Sequence, residues 1–309
     1  MKLSGSTLQL GSLFALVSAL LFSSKAIFIK QAYALSPSLD AITLMAIRMA
    51  SALPFFLLIC WFCQKSSNNV TIKDWSFLIF VGLLGYYLSS WFDFFGLMFI
   101  SASLERIILF LYPTLTVFAS SFIFKQKLRY KTIFALILSY GGTVLVMLQE
   151  QSQMPAQDNF WLGASLVFAS AVTFACYLLL TPPLIKKFGS WKLTGWSLSA
   201  ACIGTLLHYF ITTPAPISFL IELPISIFWY GLFLGVFVTV LPIVLLILSI
   251  EYLGANQSAM ISSISPILTI LLAVLFLGEY LNSIQWIGCA LNIIGVKLTK
   301  ITNHAKKFF

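Results

Sequence analysis

The sequence has 309 residues, of which 60% are hydrophobic and only 9% are charged. Because a soluble domain carries about 25% charged residues, this composition excludes an ordinary water-exposed surface. The formal net charge of +9 does not indicate a nucleic-acid-binding protein, since the basic residues lie in short segments between apolar runs and form no continuous basic face. The composition therefore favours a protein embedded in a lipid bilayer.

Ten apolar runs approach the roughly 20 residues that a helix needs to cross a hydrocarbon core of about 30 Å. They are predicted at 8–30, 39–62, 75–99, 103–124, 132–149, 160–182, 193–212, 226–250, 256–277 and 284–301. Backbone that faces lipid must satisfy its hydrogen bonds internally, so each run is predicted to be a helix. The first run is longer than the apolar part of a secretory signal and is predicted to be retained. We expect an all-α integral membrane protein with ten transmembrane helices.

The five cysteines do not form a metal-binding or redox pattern. Cys60 and Cys63 have a C-x-x-C spacing but no second pair of ligands, and Cys176, Cys202 and Cys289 lie in or beside apolar runs. No glycine-rich phosphate-binding loop and no Ser/His/Asp set is present. The sequence therefore predicts neither a cofactor nor a metal site, and any transport would be driven by an ion or substrate gradient.

Lysine and arginine fall mostly on one side of the predicted spans. If the amino terminus is cytoplasmic, that side receives Lys2, Lys65, Lys73, Lys125, Lys127, Arg129, Lys131, Lys186, Lys187, Lys192, Lys297, Lys300, Lys306 and Lys307. The opposite side receives Lys30, at a predicted helix end, and acidic residues that include Glu150 and Glu279. Because cytoplasmic loops retain basic residues, both termini are predicted to be cytoplasmic.

The sequence contains an internal repeat that divides it into residues 1–150 and 151–309. The run Gly11–Phe22 resembles Gly163–Phe174 at an offset of 152 residues. At an offset of 153, Gly82 matches Gly235, Ala102 matches Ala255, Pro113 matches Pro266, Leu128 matches Leu281 and Gly142 matches Gly295. Since each unit holds five predicted helices, an odd number, the second copy would enter from the opposite face and the repeats would be inverted. Inverted repeats are the arrangement that carriers use for alternating access.

At these residues the chain resembles the drug/metabolite transporter superfamily, in particular its EamA-type ten-helix transporters. The resemblance is carried by the first helix of each half, by Arg48 within 46–50, and by the segment Ala255 to Pro266 with the following Gly278-Glu279 and the glycines of the last helix. The first half departs from the pattern, with Lys125-Gln126 in place of Gly-Glu. The resemblance implies a multi-pass transporter of the cell inner (cytoplasmic) membrane. Its substrates would be amino acids, nucleoside-like compounds, other metabolites or drugs.

Five charged residues lie within the predicted spans: Lys25, Arg48, Asp93, Glu105 and Arg106. A charge at mid-bilayer costs at least about 2.5 kcal/mol, so each needs a partner or a water-filled cavity. We place all five in the outward half of the membrane, where the second half of the sequence has uncharged equivalents. They are predicted to bind the substrate or relay a proton, with Asp93 or Glu105 as the titratable group. The alternative is a structural ion-pair network, such as Asp93 with Arg106 or Glu105 with Lys25.

Two aromatic residues and two prolines complete the candidate site. Trp91 and Tyr112 could line a pocket for a zwitterionic or cationic solute, or simply pack between helices. Pro113 and Pro266 lie at matching positions and are predicted to bend their helices and act in gating, although membrane helices also tolerate proline without such a role. His208 is predicted to be a packed or interfacial residue.

The favoured interpretation is a secondary carrier for a small organic metabolite. The expected partners are that substrate and the lipid bilayer, with proton coupling or exchange left open, and with a monomer or a homodimer left open. The alternative is a polytopic membrane enzyme or lipid-handling protein, for which only Asp93 and Glu105 could serve as catalytic carboxylates.

Overall fold

The computed structural model describes residues 5–63, 70–123, 130–153 and 159–303. Within these ranges the chain forms helices and no strand, which confirms the predicted all-helical fold class. The first five helices are α1 (Gly5–Ser23 and Lys25–Leu35), α2 (Ala41–Phe62), α3 (Ile72–Gly82, a π-helical Leu83–Leu88 and Ser89–Gly96), α4 (Ala102–Leu109 and Tyr112–Ile123) and α5 (Tyr130–Gln153). The remainder are α6 (Phe160–Phe188), α7 (Ser190–Thr212), α8 (Pro216–Glu222), α9 (Ile225–Gly235, a π-helical Val236–Val240 and Leu241–Leu253), α10 (Ala255–Ser262 and Ser265–Leu277) and α11 (Ser283–Asn303).

Most of these helices have the length and apolarity of membrane spans. In the described ranges eight of them meet both criteria, and α7 with α8, bent by 96°, makes a ninth if the pair is one span. The apolar part of α11 is shorter, at Ser283–Leu298. Large apolar side chains such as Trp61, Phe62 and Ile211 are 71%, 80% and 80% exposed, which suits a surface covered by lipid hydrocarbon.

Two features of the connections differ from the sequence prediction. α1 continues to Leu35 instead of ending at residue 30, because Lys30 donates to the Leu97 carbonyl at 3.0 Å and is accommodated within the helix. Lys25 therefore lies ten residues, about 15 Å, before the end of α1, further from that end than predicted. The predicted loop after α7 contains the helix α8, which begins at Pro216, whose fixed φ angle suits a first helical position.

The helices pack as close pairs around an apolar core. The most extensive contacts join α5 with α11, α2 with α7, α1 with α9, and α3 with α6. The largest buried cluster contains Met45, Met49 and Phe56 of α2 together with Phe94 of α3. Two caps fix where helices begin, since Asp40 accepts from the Thr43 N–H and Thr71 forms a capping box with Asp74.

Irregular backbone recurs at equivalent positions in the two halves of the sequence. The π-helical segments begin at Leu83 and Val236, and α4 and α10 are interrupted at 110–111 and 263–264, in both cases 153 residues apart. Pro113 and Pro266 are the second residues of the segments that follow those interruptions. Both prolines therefore begin a new helical segment rather than interrupt a continuous helix, and the missing N–H is one that a helix start leaves unpaired.

Glycines set the closest helix approaches. A Cβ added at Gly142 of α5 would lie 2.5 Å from the Gly288 carbonyl oxygen of α11, and one at Gly288 would lie 2.7 Å from the Gly142 oxygen. A Cβ at Gly295 would lie 2.6 Å from the Ala135 oxygen. Because these neighbours are backbone atoms, they cannot move aside as the end of a flexible side chain can.

Gly142→Ala is expected to destabilise the protein by about 1–3 kcal/mol, since the added methyl group overpacks the α5–α11 contact. The matched control is Gly141→Ala, where an added Cβ meets nothing within 4 Å. That control should be neutral or slightly stabilising, because alanine is the better helix former. Thermal unfolding of the two variants in detergent measures the difference, and a shift of the same sign and size for both would contradict this packing.

Candidate functional site

Four charged residues form a buried cluster between α1, α3 and α4, which we call the charged cluster: Lys25, Asp93, Glu105 and Arg106. The Lys25 amine lies 2.5 Å from Asp93 Oδ2 and 3.3 Å from Glu105 Oε1. Arg106 Nε lies 3.8 Å from Glu105 Oε2, and its Nη2 donates to the Phe22 carbonyl at 3.0 Å. The charges therefore alternate along a chain from Asp93 through Lys25 and Glu105 to Arg106.

Local structure explains why these side chains meet. Lys25 is the first residue after the interruption of α1 at Ser24, and Glu105 lies in the first turn of α4. Asp93 lies near the end of α3, in the segment that packs against α2 and α6. Glu105 has no exposed surface and Asp93 is 2% exposed. Two carboxylates thus share one amine in an environment with little water.

The structure decides between the two ion-pair arrangements that the sequence left open. Glu105 pairs with Lys25, as in one of them. Asp93 contacts Lys25, and among the ion pairs of the described residues Arg106 contacts Glu105, so the expected pair of Asp93 with Arg106 is not formed. In sequence order Arg106 is nearer to Asp93 than Lys25 is, but the rotation of α4 turns it towards α1.

Several polar atoms of the charged cluster lack hydrogen-bond partners among the described residues. These atoms are Asp93 Oδ1, both carboxylate oxygens of Glu105, and Arg106 Nε. The ion pairs of Glu105 thus lack hydrogen-bond geometry. Because a buried polar group without a hydrogen bond costs about 1–3 kcal/mol, these atoms are expected to be satisfied by ordered water, an ion, a proton or a ligand.

Arg48 lies near the charged cluster but outside it. Its Nε donates to Thr239 Oγ1 at 2.8 Å, and its guanidinium carbon lies 5.0 Å from the centre of the Phe94 ring. The sequence suggested Arg48 as a binding or packing residue, and the structure places it on the core side of α2, facing the π-helical segment of α9.

The two aromatic residues predicted for the site, Trp91 and Tyr112, pack against different helices, α7 and α6. Trp91 packs edge-on against His208, with ring centres 5.4 Å apart, and Tyr112 packs edge-on against Phe174 at 5.1 Å. His208 accepts from or donates to the Tyr87 hydroxyl through Nδ1 at 2.9 Å. These contacts are aromatic packing; the charge of Arg106 acts on the Tyr112 hydroxyl, whereas no hydrogen bond or ion pair within the described residues joins Trp91 to the charged cluster.

Two acidic residues that the sequence placed in outer loops hold the start of α4. Glu279 accepts from the Ala102 and Ser103 N–H groups at 2.7 and 3.0 Å, and Glu150 accepts from the N–H and hydroxyl of Ser101 at 3.0 and 2.8 Å. A negative charge is favourable at a helix N-terminus because it satisfies free N–H groups and opposes the helix dipole. In the sequence, the Gly278-Glu279 pattern marked Glu279 as a residue of interest. It could not reveal the contact with Ala102 and Ser103, because those residues are distant along the chain. The Lys125-Gln126 position that replaces this pattern in the first half lies outside the described residues.

A cavity of about 600 Å³ lies elsewhere, between α2, α7, α8 and α9. Its walls include Ile47, Tyr209, Phe210 and Trp229, and none of the predicted site residues lines it. Phe210 and Trp229 are more than half exposed, so the cavity opens to the outer face of the bundle. Within the described residues, no group of three His, Cys, Asp or Glu side chains could hold a metal ion.

A helical bundle with an apolar outer surface and buried, partly unsatisfied charges defines a multi-pass membrane protein. The model of the EamA-like transporter family matches residues 9–148 and 161–300. The chain therefore belongs to the EamA-like transporter family, which confirms the resemblance to the drug/metabolite transporter superfamily.

Two proteins of similar sequence are also described as transporters. The chain is 33% identical over 306 residues to the uncharacterized transporter YcbK of Bacillus subtilis (strain 168), which covers 96% of each chain. It is 24% identical over 268 residues to the uncharacterized transporter YetK of the same organism, covering 82% of this chain and 76% of YetK. A solved crystal structure matches this fold with a TM-score of 0.62, covering 94% of this chain and 97% of the other chain. The two sequences are 17% identical, so the match supports the fold and not the function.

Lys25→Met is expected to destabilise the protein by about 3–5 kcal/mol, because it leaves Asp93 as a buried carboxylate without its cation. The double variant Lys25→Met/Asp93→Asn should recover much of this loss, since the uncompensated charge is gone. Thermal unfolding in detergent measures both proteins. Equal stability of the single and double variants would contradict the pairing.

Glu279→Ala is expected to lower the stability by about 0.5–2 kcal/mol, the range for a lost N-terminal cap. Glu222→Ala is the control, since that carboxylate is exposed at the end of α8. The same unfolding measurement compares them. A Glu279→Ala variant as stable as the control would show that the two N–H contacts contribute nothing.

Proposed function

We propose that this protein is a secondary transporter that moves a small organic metabolite across the cytoplasmic membrane by alternating access. The substrate is an amino acid or another zwitterionic or cationic solute, and the protein is not an enzyme. The observation that carries the proposal is the charged cluster, where two carboxylates share one amine inside an otherwise apolar bundle and several polar atoms make no hydrogen bond within the described part of the chain. Membership of a transporter family makes substrate recognition the natural use of these groups.

The proposed architecture is ten transmembrane helices in two inverted five-helix repeats, residues 1–150 and 151–309. The glycine contacts support it. Gly142 contacts Gly288, and Gly295 contacts Ala135. Position 142 plus 153 is 295, and position 288 minus 153 is 135, so each contact is the equivalent of the other in the opposite half. Likewise an added Cβ at Gly11 would lie 2.7 Å from Leu253, and one at Gly163 would lie 3.0 Å from Ile100, its counterpart. Such exchange of partners is what an approximate two-fold axis produces.

We propose that both termini are cytoplasmic, on the basis of the lysine and arginine distribution. Of those residues, Lys73, Lys131, Lys186, Lys187, Lys192, Lys297 and Lys300 belong to described helices. The others, Lys2, Lys65, Lys125, Lys127, Arg129, Lys306 and Lys307, lie outside the described residues. In this orientation α4 begins at the outer face, where Glu150 and Glu279 hold it.

Coupling is proposed to run through the competition of two carboxylates for one amine. Protonation of Glu105 or Asp93, or arrival of a substrate cation, would release Lys25 from one of them and change the contact between α1 and either α3 or α4. Pro113 and Pro266 are proposed to let α4 and α10 bend at the interruptions beside them. The same arrangement serves proton coupling and substrate exchange, in a monomer or a homodimer.

Reconstitution into liposomes tests this function. Vesicles loaded with an unlabelled amino acid or cationic metabolite should accumulate the same labelled compound by counterflow, and empty vesicles should not. No flux for any member of the panel, together with hydrolysis or transfer of a lipid, would instead favour a membrane enzyme or lipid-handling protein.

Glu105→Gln and Asp93→Asn should each reduce counterflow at least tenfold while the protein still elutes as a single folded species. The physical reason is that the amide keeps the size of the carboxyl group but loses the charge that holds Lys25. Glu222→Gln, an exposed carboxylate outside the cluster, is the control and should transport normally. Full activity in both cluster variants would remove these residues from the mechanism.

A further inference from the structure

Asn292 is a buried amide near the middle of α11, where its side chain is 1% exposed. Its Nδ2 lies 2.7 Å from Thr143 Oγ1, 3.4 Å from the Ser139 carbonyl oxygen and 3.5 Å from the Ile107 carbonyl oxygen. The Thr143 hydroxyl donates its hydrogen to the Ser139 carbonyl at 3.0 Å, so it can only accept from Asn292. This fixes the orientation of the amide, with its N–H groups directed at α5 and α4.

The Ile107 carbonyl lies at the interruption of α4. In a continuous helix it would accept from the Leu111 N–H, but that N–H donates to the Ile108 carbonyl at 3.0 Å. The ordinary helical partner is therefore lost, and the amide of Asn292 supplies a donor from another helix. A buried carbonyl that loses its helical partner is costly unless a side chain or water replaces it.

The equivalent interruption of α10 is satisfied in a different way. At the offset of 153 residues Met260 corresponds to Ile107, and its carbonyl accepts from the Ser263 N–H at 3.3 Å and from the Ser263 hydroxyl at 2.6 Å. Position 292 minus 153 is 139, so Ser139 corresponds to Asn292. The Ser139 hydroxyl makes no hydrogen bond within the described part of the chain. The interruption of α10 is thus satisfied within α10, whereas that of α4 receives a donor from α11.

This contact connects α11 with the segment that carries half of the charged cluster. Ile107 directly follows Glu105 and Arg106 in the first segment of α4. Glu150 of α5 holds the start of that segment, and Asn292 of α11 contacts its end. Helices α5 and α11 pack closely through facing glycines. This pair of helices therefore contacts the segment at both ends.

We propose that Asn292 is a positioning residue for the charged cluster. By donating to the Ile107 carbonyl it fixes where α4 is interrupted, and this places Glu105 against Lys25. Asn292 acts through the backbone of α4, since its hydrogen bonds within the described residues go to two carbonyls and to Thr143. This inference rests on the proposed transport function and adds to it a residue of the second half of the chain.

Asn292→Leu tests the structural part of the proposal, because leucine has a similar size but no N–H donor. Hydrogen–deuterium exchange of the full-length protein in detergent is compared for peptides that cover 104–112 and 257–265. The variant should exchange about tenfold faster than wild type in the first peptide, because the interruption opens more easily, and at the wild-type rate in the second. Wild-type exchange in the first peptide, or an equal increase in both, would overturn the proposal.

Two variants are matched controls for this measurement. Ser139→Ala removes the hydroxyl at the position that corresponds to Asn292, and both peptides should exchange as in wild type. Ser263→Ala removes the local donor of α10 and should speed exchange in 257–265 but not in 104–112. Faster exchange of 104–112 in either control would contradict a specific role of Asn292.

Counterflow into liposomes tests the functional part. The probe is labelled L-leucine or labelled choline, whichever wild-type protein transports faster. Asn292→Leu should raise the KM about tenfold and change the maximal rate less, because a displaced Glu105 weakens the proposed substrate site. Loss of folded protein alone would lower the maximal rate at an unchanged KM, and that result would overturn the positioning role.

The two measurements separate this inference from the function on which it rests. No flux of either probe in wild type would count against the proposed function, while the exchange measurement would still decide whether Asn292 holds α4. If Asn292→Leu does not fold, Asn292→Ser takes its place in both experiments, because serine is the residue at the corresponding position of the first half and is too short to reach α4.

Discussion

The sharing of one lysine amine by two buried carboxylates is the constraint around which this structure is organised. Lys25, one residue after the interruption of α1 at Ser24, contacts both Asp93 and Glu105. Removing two carboxylates and two cations from water is expensive, and mutual attraction offsets this only when the groups are close and well oriented. The relative positions of α1, α3 and α4 are therefore tied to the same charges that we propose to bind substrate.

Packing features and buried charges are distributed differently over the two halves of the chain. Backbone interruptions and glycine contacts recur at an offset near 153 residues, so the features that set packing are duplicated. The charges are not duplicated. Tyr177, the counterpart of Lys25, instead meets the Tyr86 hydroxyl at 3.1 Å. The proposed alternating access uses the duplicated framework, and the proposed substrate site uses the charges that only the first half carries.

Helix α4 takes part both in the duplicated backbone pattern and in the charged cluster. Its first segment, Ala102–Leu109, carries Glu105 and Arg106. Glu150 and Glu279 accept from the free N–H groups where this segment begins. Two residues separate its end from the next segment, which contains Pro113. The element that holds half of the charged cluster is thus anchored at one end and interrupted at the other.

Sequence by itself determined the membrane class, the helical fold, the approximate bounds of most helices and the charges that lie within the spans, but not the burial of Glu150. It could do so because hydrocarbon requires long apolar helices and tolerates few charges, so both signals are local. Tertiary structure decided that Lys25 contacts two carboxylates, that Glu150 and Glu279 accept from N–H groups at the start of α4, and that the guanidinium of Arg48 donates to Thr239. These facts depend on the rotation and depth of each helix against its neighbours. Packing sets both, and the order of residues along one helix does not reveal them.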